Sequence, residues 1–212
     1  MAPEKAKQNG DIRPPEARLR DADSAAEQCP QHFDVDARAS RFTVQAFASG
    51  VLSAVGHNPT IGIRKFSAEA GFNPDAVEQT RVRMTIQAGF LSVLDDIKES
   101  DRNEMEKLMN EQILESARYP EIQYEGTAVS IHRLGDSLYS ADLGGNLSLH
   151  GVVRPQLVTV RITLYDGMLR ASGTFSILQS EFQIKPISLA GGMLKLKDEL
   201  KCSFEMIARK QD

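Results

Sequence analysis

Few residues in this chain are suited to chemistry, and their spacing limits what they can do together. The four histidines are His32, His57, His132 and His150. No His-x-His or His-x-x-x-His spacing puts two of them on one strand face or one helical turn, so no metal-ligand pair emerges. Cys29 and Cys202 are the only cysteines, and two thiolates cannot complete a zinc site without other ligands. They read as two free thiols, with Cys202 at an apolar-phase position of a strand and Cys29 in a polar segment. No Gly-x-Ser-x-Gly turn is present to mount a serine nucleophile. His57 sits in the turn Gly56-His-Asn-Pro59, and His150 precedes Gly151. Both suit turn histidines bonded to backbone; His57 is also placed to meet a polar head group or to act as an acid or base. Arg154, followed by Pro155, offers a guanidinium to a phosphate or carboxylate, or pins the turn by donating to backbone carbonyls. No catalytic residue, metal or cofactor is assigned, and the expectation is a protein that is not an enzyme.

The elements that must position these residues are mostly strands. Residues 1–39 carry four prolines, many charges and only Ile12, Leu19, Phe33 and Val35 as large apolar side chains. Such a segment buries too little surface to offset its ordering entropy and reads as a disordered N-terminal tail. The folded domain is expected over residues 40–212. Phe42, Val44 and Ala46 alternate with polar residues in a first strand. Ile61 and Ile63 share one parity, whereas Phe66, Ala68, Ala70 and Phe72 share the other. One extra residue near Arg64–Lys65 reconciles the two, as in a β-bulge that bends a strand towards closure. Arg81–Gly89 alternates without a break: Val82, Met84, Ile86 and Ala88 face one way, Arg81, Arg83, Thr85 and Gln87 the other. One face is dry and one wet.

The period then changes. Asp101-Arg-Asn-Glu104 resembles a capping box, and Met105, Leu108, Met109 and Ile113 recur at helical spacing to about Ala117. Tyr119-Pro120 ends this one helix. Further strands follow over Glu121–His132, Leu138–Leu149, Gln156–Tyr165, Met168–Leu178 and Glu199–Arg209, with Asp166-Gly167 as a strong hairpin signal. About eight strands in meander order tend to close into an all-β antiparallel barrel, with an interior that side chains can fill or that can hold one ligand. Periodicity marks the dry face but does not measure the volume behind it, so both interiors stay open at this level.

Composition narrows the partners. A net charge of -4 argues against nucleic acid and against an anionic membrane surface. No apolar run approaches the ~20 residues that span a bilayer, so stable membrane insertion is not expected. The N-terminus lacks the apolar core of a secretory signal, and residue 2 is Ala, which excludes myristoylation. The expectation is a cytoplasmic protein. The strand edges leave room for a homodimer.

Several motifs in order resemble the YceI-like family of bacterial proteins. Leu147-Ser-Leu-His-Gly-Val-Val-Arg-Pro155 is similar to its Leu-Thr-(Leu/Ile)-x-Gly-Val-Thr-(Lys/Arg)-Pro motif. Arg118-Tyr-Pro-Glu-Ile-Gln-Tyr124, Ser53–Asn58 with Phe72-Asn-Pro-Asp75, and Phe175-Ser-Ile-Leu-Gln-Ser-Glu-Phe182 resemble its other signatures. The chain departs from the family at Gln179, where Arg is frequent, and at Gln183, where Gly is frequent. It has no tryptophan, and so lacks the Gly-x-Trp of true lipocalins. The resemblance implies a lipocalin-like barrel that binds a long apolar molecule, a polyisoprenoid or isoprenoid quinone. It implies a ligand set of Phe42, Val44, His57, Phe66, Phe72, Met84, Ile86, Leu147, Leu149, Arg154, Phe175 and Phe182. Two other classes stay open: an enzyme acting on a lipid in the same pocket through His57, and an interaction module with a filled core.

Overall fold

Arg83 shows how the alternation becomes a wall. In the computed structural model it points outward, where its guanidinium pairs with Glu125 at 2.8 Å and Glu69 at 3.4 Å on the flanking strands. Its neighbours Met84 and Ile86 are buried on the inner face. The structure describes residues 30–49, 58–186, 188–189 and 194–211.

The strands, in chain order, are β1 (Gln31–Val35), β2 (Arg41–Gln45), β3 (Ala48–Ser49), β4 (Thr60–Ile63), β5 (Phe66–Phe72), β6 (Arg81–Gln87) and β7 (Leu91–Val93). Helix α1 (Glu99–Leu108) runs into a π-helical turn, Met109–Ile113. Then come β8 (Glu121–Arg133), β9 (Leu138–Leu149), β10 (Val152–Tyr165), β11 (Met168–Leu178), β12 (Ser188–Leu189), β13 (Leu194–Leu196) and β14 (Glu199–Lys210). The ring β1-β5-β6-β8-β9-β10-β11-β14 closes on itself through β1–β14, giving an eight-stranded antiparallel barrel with one α-helix.

Three staves are split, and the splits shape the barrel. β14 pairs with β1 through Ala208–Lys210 and with β2 through Lys201–Glu205. β5 pairs with β1 and β6, whereas β4, before the break at Arg64–Lys65, pairs with β2 and β7. The phase change in the sequence is therefore a bend at which one stave passes from β2 and β7 to β1 and β6, the other halves of the same two flanking staves. β6 pairs with β8, but β7 does not, because the 3-10 turn Ala88–Phe90 carries it away. Helix α1 packs beside β7, where the Glu106 carboxylate accepts the Val93 N–H at 2.9 Å and so satisfies an edge donor.

Two expectations change. β1 lies inside the segment that composition reads as tail. Its Phe33 is 1% exposed, because pairing with both β5 and β14 seals a strand that has only two large apolar residues. Residues 1–29 lie outside the described residues. The capping box does not form: the helix begins at Glu99 without a side-chain cap, and Ser100 Oγ donates instead to Asp101. The Asp166-Gly167 hairpin is as expected, with both residues at positive φ, 44° and 73°, as a type I′ turn requires.

Candidate functional site

The two apolar clusters of the interior differ in what they enclose. At one end Phe33, Phe72 and Tyr139 pack with Ala141, Ile162 and Ala208. Phe72 stands edge-on to Tyr139 at 5.4 Å, and these rings stop up that end. Beyond them the barrel is hollow. A cavity of about 480 Å³ runs from Leu143, Val160 and Leu169 to α1 and β13. It lies in the range typical of ligand pockets, and its wall is almost wholly apolar. Among the described residues, Gln123, Tyr124, Gln179 and Lys195 are the only polar or charged ones on it, apart from the thiol of Cys202.

The helix completes the wall where β7 leaves β8. Met105, Leu108, Met109, Ile113 and Leu114 all line the cavity. The apolar helix face seen in the sequence thus packs on the barrel and faces the hollow at once.

Tyr124 explains part of the width. Its ring lies flat along the inner wall, over Gly126, and its hydroxyl reaches Leu143 O at 3.0 Å and Gln156 O at 3.3 Å. A Cβ on Gly126 would stand 2.7 Å from the phenol oxygen, so only glycine leaves room for this pose. Burial pushes the Tyr124 phenol up to about 12 and the Cys202 thiol up to about 12. Both therefore stay neutral at physiological pH and add no charge to the cavity.

Phe42, Val44, Met84, Ile86, Leu147, Leu149 and Phe175 of the expected ligand set stand on this wall. Four others do not. Phe72 belongs to the aromatic stopper, and Phe66 packs beside the Arg64–Lys65 corner in the wall itself. Phe182 is 1% exposed, sealed in the solid packing under the 3-10 turn Gln179–Phe182. Arg154 is in β10, not in a turn. It is exposed and donates from Nε to Glu181 O at 3.0 Å, which pins that turn to the barrel. His57 lies outside the described residues. His150 occupies the β9–β10 turn at φ 52°, its ring tilted against Tyr119 at 4.5 Å, with Nδ1 at 3.2 Å from Phe182 O and Nε2 at 3.3 Å from Glu115. It is a turn histidine that ties three segments together. Gln183 occupies the left-handed region at φ 60°, the conformation that favours glycine.

Sequence reasoning missed Gln179, Tyr124 and Cys202 as cavity residues. Cys202 carried a signal, its apolar phase in β14. Tyr124 shares the inward parity of Ile122 and Gly126. Among the described residues no cluster of three or more His, Cys, Asp or Glu side chains is placed to hold a metal. No described helix is long and apolar enough to cross a membrane.

Residues 33–208 match the YceI-like domain. The chain belongs to the YceI-like family. Solved structures of similar fold are those of Burkholderia cenocepacia BcnA and of a polyisoprenoid binding domain from Saccharophagus degradans, implicated in plant cell wall breakdown. BcnA is 18% identical at TM-score 0.62, covering 82% of this chain and 99% of its own. The Saccharophagus domain is 12% identical at TM-score 0.62, covering 84% and 98%. A Campylobacter jejuni YceI protein is 16% identical at TM-score 0.54, covering 74% and 88%. No curated protein matches the chain by sequence. At these identities the YceI-like structures establish a shared fold.

Proposed function

We propose that this YceI-like barrel binds and carries, or sequesters, a long isoprenoid-type lipid inside its cavity, without chemical change to it. The observation that carries the reading is the hollow of about 480 Å³ whose wall is apolar from the aromatic stopper to the helix. A cavity of ~150 Å³ takes the six carbons of benzene. By that measure the hollow takes about twenty carbons, or about four isoprene units. At ~0.8 kcal/mol per buried CH₂, twenty carbons give about 16 kcal/mol before the cost of association, about 4–15 kcal/mol. Burial alone therefore leaves about 1–12 kcal/mol in favour of binding. The domain from Saccharophagus degradans, described as polyisoprenoid binding, supports the same ligand class.

Native mass spectrometry of the purified protein, followed by organic extraction, tests this. The expected result is a co-purified apolar lipid, or saturable binding of an added prenyl quinone or prenol. Absence of any bound lipid together with no binding of either probe would overturn the carrier reading.

A further inference from the structure

Among the described residues Gln179 is the buried polar side chain on the cavity wall apart from the Cys202 thiol, with only 4% of its surface exposed. It opens the 3-10 turn after β11, at the end of the barrel opposite the aromatic stopper and close to the start of β14. Its orientation is fixed. The amide nitrogen donates to Lys197 O at 2.9 Å and, more weakly, to Asp198 O at 3.4 Å. Two carbonyl acceptors on that side leave no choice of which amide atom faces them. No donor among the described residues bonds to Oε1. Gln179 lines the apolar cavity, and among the described residues its Oε1 is an open acceptor that keeps surface a donor can reach.

The surroundings favour a neutral donor. The Asp198 carboxylate is held beside this turn by the Ser180 N–H at 2.7 Å, which places a negative charge next to the anchor. A phosphate brought to Oε1 would set acceptor against acceptor and lose its hydration. Among the described residues on the wall the one cationic residue, Lys195, is exposed on β13.

We infer that Gln179 anchors the head group of the bound lipid through Oε1 and selects an apolar chain ending in a neutral hydroxyl over one ending in a phosphate. The inference rests on the carrier reading and adds the chemistry of the head. The chain lies towards Leu169, and the hydroxyl lies at the Gln179 end.

Three probes with one prenyl chain of about twenty carbons test it: the alcohol, its methyl ether and its monophosphate. Binding is followed by displacement of an environment-sensitive fluorescent fatty chain from the full-length protein. The alcohol is expected to bind about fivefold tighter than the ether, the value of one ordinary hydrogen bond, and tighter than the monophosphate. In Gln179→Leu the alcohol falls to the level of the ether while the ether is unchanged. Equal binding of alcohol and ether to the wild-type protein would overturn the inference while leaving the carrier reading intact, as would a monophosphate that binds tightest. The wild-type comparison stands even if Gln179→Leu fails to fold. Failure of all three probes, including the ether that needs no anchor, overturns both.

Discussion

Ala171 offers a direct way to tell a hollow barrel from a filled one. It lies on β11, pairs with Ile162 and Met206, lines the cavity, and packs against both apolar clusters, so it stands about midway along the interior. Ala171→Phe adds six carbons at that height. In a filled core such an insertion forces side chains off their rotamers and costs about 1–3 kcal/mol. In a hollow of about 480 Å³ the ring takes up space of the order of the ~150 Å³ that holds benzene and meets no such penalty. Stability should stay level or rise. The ligand bears the loss instead. About six of some twenty chain carbons are displaced, and at ~0.8 kcal/mol each this is about 5 kcal/mol, or roughly 10³-fold in affinity. A prenyl chain of about ten carbons should bind as before, because about two-thirds of the space remains. Urea unfolding gives the stability, and displacement titration with short and long prenols gives the affinity. A loss of stability of 1–3 kcal/mol, or equal weakening of short and long chains, would refute the hollow-barrel reasoning.

Four further outcomes follow from the same packing. Cys202, held protonated to about 12 by burial, should alkylate slowly at pH 8, and its rate should still climb between pH 10 and 11, where an exposed thiol levels off; iodoacetamide labelling followed by mass spectrometry measures it. Unfolded Cys202 and Tyr124 ionise near 9 and 10 but folded ones only near 12, so the unfolded chain holds fewer protons in this window. Stability is therefore fully present below about pH 9 and falls from there to about 12, with a shallower fall in Cys202→Ala, checked by urea midpoints across that range. Tyr124→Phe removes the hydroxyl that reaches Leu143 O and Gln156 O, and should cost about 0.5–1.5 kcal/mol in urea unfolding with the cavity still able to bind a prenol. Gln183→Gly relieves a left-handed backbone worth about 1–2 kcal/mol against glycine's own ~0.5–1 kcal/mol entropy cost, so the midpoint should rise slightly; a fall would show that the Gln183 side chain contributes more than the strain removes.

Residue order along the chain dictates the local geometry. The alternation at Arg81–Gln87 set which face of β6 is dry, since side chains alternate faces with a period of two whatever surrounds the strand. The parity change at Arg64–Lys65 marked a corner, and Asp166-Gly167 a turn, because both are backbone requirements carried by residue type. Tertiary structure alone decided how far along the axis each inward residue stands. Phe72 and Phe175 share the same apolar character, yet one seals the end and the other lines the hollow. Period two reports a face but carries no axial height, and volume depends on what the opposite wall contributes. β1 shows the same limit: Phe33 is among the most buried side chains of a segment whose composition reads as tail, because two neighbouring strands supply the burial that its own sequence lacks. Gln179 shows it most sharply. In sequence it is one polar residue at a strand end; only the turn that ties its amide to Lys197 O and Asp198 O leaves its oxygen as an open acceptor on an apolar wall.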